Sequence, residues 1–67
     1  MSEEQEKEFD KFLDIAVKKG YNQMVCLAVA GIMLSSSNWQ TTINDIIALA
    51  EECENCGDFG HKLIEQF

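Results

Sequence analysis

Residues Met24–Leu34 read MVCLAVAGIML, an apolar run of eleven residues without one polar side chain. How such a run is covered decides the fold. A bilayer span takes about 20 consecutive apolar residues, so this one reads as the middle of a buried helix. An amphipathic helix needs cover on one side, whereas a helix apolar all round needs it on every side. In a chain of 67 residues, either the other helices wrap this one completely or a second subunit covers part of it. Ala28, Ala30 and Gly31 are small enough to admit a close helix approach. The expectation is a fully buried second helix from Gln23 to Ser35, capped by Asn22, with a homodimer as the alternative source of cover.

Working outward, there is no proline and there are only four glycines, and hydrophobic residues make up 46% of the chain. Few breakers and many helix formers predict an all-α fold, a compact bundle of four short helices forming one domain over residues 1–67. The first helix is expected over Glu3–Lys19. Ser2 and Gln5 have the spacing of a capping box. Glu3, Glu4 and Glu6 lie at the positive end of the helix dipole and Lys18 and Lys19 at the negative end. Phe9, Phe12, Leu13, Ala16 and Val17 form an apolar stripe, Glu3–Lys7 and Asp14–Lys18 are spaced as i,i+4 ion pairs, and Gly20 reads as a left-handed stop.

The third helix is expected just after Ser37, with Ser37 and Gln40 as a second capping box or a later start at Thr41 or Thr42. Trp39, Ile43, Ile46, Ile47 and Ala50 hold one face through at least Cys53. Gly57 reads as its stop. Asp58 then caps a short fourth helix with Phe59, Leu63, Ile64 and Phe67 as the apolar face.

Twelve carboxylates against five lysines give a formal charge of −7, with no arginine. Such a surface repels phosphate backbones and anionic membranes, so neither nucleic acid nor membrane is an expected partner. The segment Ser35–Gln40, between two helices, has the look of a helix-turn-helix turn, but no Lys or Arg lies between Asn38 and Cys53 to read DNA. The start MSEEQEKEFD is acidic rather than basic and apolar, unlike a signal peptide. Three cysteines without such a leader predict free thiols in a reducing, cytoplasmic setting. No nucleophile constellation or glycine-rich phosphate loop is visible, and neither enzymatic activity nor a cofactor is expected.

A core this small contributes roughly 3–5 kcal/mol, and many small chains add a metal. Cys53, Cys56, Gly57, Gly60 and His61 follow the order C-x-x-C-G-x-x-G-H. This tail resembles the CCHC zinc knuckle of retroviral nucleocapsid proteins. The resemblance spans fifteen residues and implies a structural zinc and single-stranded nucleic-acid binding. The family's last cysteine falls on Gln66, a poor ligand for a site built from four Cys or His groups. The tail is acidic, and the apolar stripe of the third helix runs into Cys53. Cys26 is the remaining source of a fourth ligand. Redox motifs of the form C-x-x-C work at a helix N-terminus, whereas this pair is read at a helix C-terminus beside three glutamates. Helix capping and core packing account for the same residues.

Two acidic patches remain. Glu3, Glu4, Glu6, Glu8, Asp10 and Asp14 lie on the first helix, and Glu51, Glu52 and Glu54 end the third. Carboxylates at a helix start are favoured by the dipole, whereas those at a helix end are not, which singles out the second patch. The predicted function is a small acidic interaction module that docks on a protein with a basic surface. An inhibitor or adaptor of a nucleic-acid-handling protein or a defence complex, of phage or mobile-element type, fits that size and charge. The alternatives are a zinc module using Cys53, Cys56, His61 and Cys26, and a structural homodimer.

Overall fold

Ser2 opens the first helix as its sequence predicts. Its Oγ accepts from the Gln5 backbone N–H at 3.2 Å, and the Gln5 side chain accepts from the Ser2 N–H at 2.9 Å. The helix ends at Gly20, whose φ of 73° places it in the left-handed region, where a side chain is strained. The computed structural model describes residues 2–67 and contains α1 (Glu3–Lys19), α2 (Gln23–Ser35), α3 (Trp39–Glu52) and α4 (Cys56–Gln66), with no strand among them. The all-α bundle of four short helices is therefore the observed architecture. Among the described residues no helix is long and apolar enough to cross a membrane.

α3 is the hub. It packs most extensively on α1, then on α2, then on α4. Phe12, Val29, Met33, Ile43, Ile46, Ala50 and Phe59 are completely buried. Phe59 stacks on Tyr21 at 4.9 Å between ring centroids and meets Phe12 at 5.6 Å, which ties α4 to α1 and to the α1–α2 turn. Burial of each such side chain contributes about 1.5–3 kcal/mol before chain entropy is set against it.

α2 departs most from expectation. Asn22 caps it, accepting from Val25 N at 2.9 Å, but the helix is not fully buried. Val29 and Met33 are its buried residues, while Met24 is 79% exposed, Leu27 63% and Leu34 52%. A helix lying at the edge of so small a bundle is covered on the side that meets α3 and, more lightly, α1. The remaining face is apolar and open.

Other differences are local. The Ser37–Gln40 box does not form. α3 starts at Trp39 behind Asn38, whose side chain makes no capping bond, and Ser36 instead pairs its hydroxyl with that of Thr42 at 2.7 Å. α3 ends at Glu52, because Cys53 turns to extended backbone at φ −93°, ψ 122°. Asn55, not Asp58, caps α4 and accepts from Asp58 N at 2.8 Å. Gly57 thus lies inside the first turn of α4 instead of stopping α3. Val17 and Ile64, expected in apolar stripes, are 79% and 81% exposed, and Phe67 is 44% exposed. Among the described residues the carboxylate–lysine ion pair is Glu8–Lys11 at 3.1 Å, not Glu3–Lys7 or Asp14–Lys18.

Candidate functional site

The C-terminal end of α3 leaves carbonyls without helical donors. Two residues from α1 and the turn after it supply them. The Lys19 ammonium donates to the carbonyls of Ala50 at 2.7 Å, Glu51 at 2.8 Å and Cys53 at 3.0 Å. The Tyr21 hydroxyl sits over Cys53 O at 2.5 Å and Ala50 O at 3.1 Å. A cation placed there also complements the negative end of the helix dipole. Burial pushes the Tyr21 phenol above its ordinary pKa, with Cys53 and then Cys56 adding to the shift.

This nest changes the reading of the second acidic patch. Glu51, Glu52 and Glu54 are exposed around it, so the cost of placing glutamates at a helix end is offset by Lys19. Their position no longer requires a partner to explain it. It also fixes where the patches lie along α1. Lys19 marks the C-terminal end of α1. Glu3, Glu4 and Glu6 open the same helix roughly 20 Å away, whereas Asp10 and Asp14 lie roughly 14 and 8 Å from Lys19 along it, at 1.5 Å per residue.

On α1, Glu3, Glu6, Asp10 and Asp14 are all exposed and recur at offsets 0, 3, 7 and 11, which lines them along one side of a helix. Glu4 lies beside this line, and Glu8 is half-buried and held by Lys11. The helix dipole accounts for carboxylates in the first turn, and its effect fades beyond it. Asp10 and Asp14 lie past that reach.

The cysteines and histidine do not gather into one four-ligand cluster: Cys26 and Cys56 are near enough to act on each other, whereas His61 turns away. Cys53 is buried, and Cys26 and Cys56 are half-buried. Burial raises the Cys26 thiol, and Cys56 at the start of α4 adds to the rise. His61 turns outward, with 76% of its side chain exposed, and meets Glu65 one turn later at 3.0 Å. Among the described residues no group of three or more His, Cys, Asp or Glu side chains is placed to hold a metal ion. The C-x-x-C pair straddles a loop: Cys53 ends α3 and Cys56 opens α4. The helix-C-terminus argument against redox chemistry therefore applies to Cys53 alone.

Sequence reasoning missed two features. Lys19 was read as a dipole residue of its own helix, and Tyr21 had no role, because their partners lie about 30 residues further along the chain. The open face of α2 was hidden inside an unbroken apolar run. Family models, curated proteins and solved structures were all compared with this chain, and none matches it.

Proposed function

We propose that this protein is a small acidic interaction module that docks on a basic surface of another protein, acting as an adaptor or inhibitor. The observation that carries this reading is the line of Glu3, Glu6, Asp10 and Asp14 along the exposed side of α1, none of them held in an ion pair among the described residues. Unpaired carboxylates on a rigid helix keep their charge available to a partner, and the backbone that carries them is already ordered before binding. They steer a cationic surface into place, an effect that weakens with salt. A nucleic-acid-handling protein or a defence complex, whose surface is basic for its own task, is the class of target that fits, and an inhibitor of phage or mobile-element type belongs here. This reading moves the docking surface from the α3 end, where Lys19 offsets the charge, to α1.

The test is quantitative affinity capture at low salt with the wild type, with the triple variant Glu6→Lys, Asp10→Lys, Asp14→Lys, and with Glu51→Lys, Glu52→Lys, Glu54→Lys. The first variant should lose the captured partner and the second should retain most of it. All these positions are exposed, so both variants should keep the circular dichroism of the wild type. Equal capture by all three proteins would refute the assignment.

A further inference from the structure

The open face of α2 has an internal order that an incidental apolar surface lacks. Met24, Leu27, Gly31 and Leu34 are exposed and follow one another at spacings of 3, 4 and 3, the a/d seam of a heptad. Ala28 and Ser35, also exposed, flank the seam and are small. Where a Cβ on Gly31 would stand there is nothing within 4 Å, so Gly31 is an open hole in the seam. From Gly20 to Asn44 no residue is charged, in a chain of which 25% is charged. The uncharged surface thus includes both loops that border α2.

We propose that this seam pairs with the α2 of a second copy, antiparallel, about a twofold axis level with Val29. The register is self-complementary. Met24 is as far before Val29 in the chain as Leu34 is beyond it, and Leu27 as far before as Gly31 is beyond. Turned about that axis, Met24 of each copy meets Leu34 of the other, and Leu27 of each enters the hole at Gly31 of the other. A twofold interface requires that reciprocity. At the C-terminal end of α2, Ile32, Ser35, Ser36, Thr42 and Phe67 line a groove of about 300 Å³. The half-exposed Phe67 therefore borders the seam where the partner copy's Met24 arrives.

Charge favours a copy over a cationic partner. A cationic partner finds nothing to pair with on this face, whereas a second copy keeps its own carboxylates off it. The seam rests on three large side chains, Met24, Leu27 and Leu34, 79%, 63% and 52% exposed, and falls at or below the lower limit of about 1,200 Å² in total for a specific interface. A seam that small holds a weak dimer in exchange with monomer, populated toward the upper end of about 5–500 μM. Two chains of charge −7 repel each other, so salt strengthens the pairing, the opposite of its effect on docking to a basic surface.

Sedimentation equilibrium at about 5–500 μM, in low and high salt, tests this without any partner. A reversible monomer–dimer equilibrium is expected, with association rising severalfold between about 50 and 500 mM salt. Leu27→Glu and Gly31→Lys should each weaken it about tenfold or more while circular dichroism shows the helices intact. Mixed together they should recover a one-to-one heterodimer, visible by native mass spectrometry, because the carboxylate introduced in one chain faces the ammonium introduced in the other. A wild type monomeric at 500 μM in both salts would overturn the proposal. So would a dimer untouched by Leu27→Glu, or a mixture that fails to pair.

Discussion

Lys19 and Tyr21 do at the α3 terminus what glycine does at the end of α1. They stop the helix by satisfying its last carbonyls from outside, at 2.5–3.1 Å. Lys19→Met keeps the aliphatic stem and removes the donors. It should cost about 1–2 kcal/mol, less than a wholly buried charged hydrogen bond because the site is partly open to water. A urea midpoint unchanged within error would show that water replaces the ammonium freely. Tyr21→Phe keeps the ring stacked on Phe59 and should cost about 1 kcal/mol. Its pH dependence is more telling. Only the protonated phenol can donate, and burial first, then Cys53 and Cys56, raise its pKa in the fold. A raised pKa contributes stability that is complete below the unfolded value near 10 and is lost as pH rises through the folded one. The stability gap between wild type and Tyr21→Phe should hold steady below about pH 9.5 and then shrink. A gap that stays constant to about pH 11.5 would mean the phenol pKa is not raised in the fold, so that neither its burial nor its hydrogen bonds hold the proton there.

Among the elements, α4 begins where local sequence does not place it, and its glycines test the boundary. Gly57 is not in the left-handed region, and a Cβ there would meet Asn55 Oδ1 at 3.4 Å, an ordinary contact. Gly57→Ala should therefore stabilise the protein by about 0.5–1 kcal/mol, through lost chain entropy in the unfolded state. Were Gly57 the left-handed stop of α3, the same change would destabilise by a similar amount, so the sign of the shift in melting temperature decides. Gly20→Ala, at φ 73°, should destabilise and serves as the control. The contrast explains what was legible. α1 could be read end to end because Ser2, Gln5 and Gly20 act on their own neighbours. The cores of α3 and α4 followed from the period of Ile43, Ile46, Ala50, Phe59 and Leu63. Where α3 stops depends on Lys19 and Tyr21, more than 28 positions earlier in the chain, and no local signal carries that. The exposure of α2 was illegible for a related reason: an apolar run states that cover is needed but not how many neighbours a short chain can place around it. The acidic residues are exposed except Glu8, which is half-buried against Lys11. What their order along the chain could not show is that Lys19 offsets the charge at the end of α3.

At the scale of the whole molecule, a body 28 × 23 × 19 Å in extent carries a charge of −7 and turns one uncharged helix outward. Charge and apolar face make opposite demands on salt. Within the fold, carboxylates repel one another, and the ammonium of Lys19 is hydrogen-bonded directly to the carbonyls at the α3 end, where screening acts least. Raising salt from about 50 to 500 mM should lift the melting temperature by about 2–4 °C, as relief of about 0.5 kcal/mol does in a chain of this size. The measurement belongs at about 5 μM, well below the range where copies pair, so that the rise reports the fold alone. At higher protein concentration the same salt step should lift it further, because association adds to apparent stability by mass action. Capture of a basic partner should fall over the same step. Three salt responses with separable signs and concentration dependence then distinguish folding, self-pairing and docking in one titration series. If melting temperature falls with salt at low concentration, attractive ion pairs outweigh the repulsion. The two carboxylate pairs that the fold does close, Glu8 with Lys11 and Glu65 with His61, would then be the first to remove.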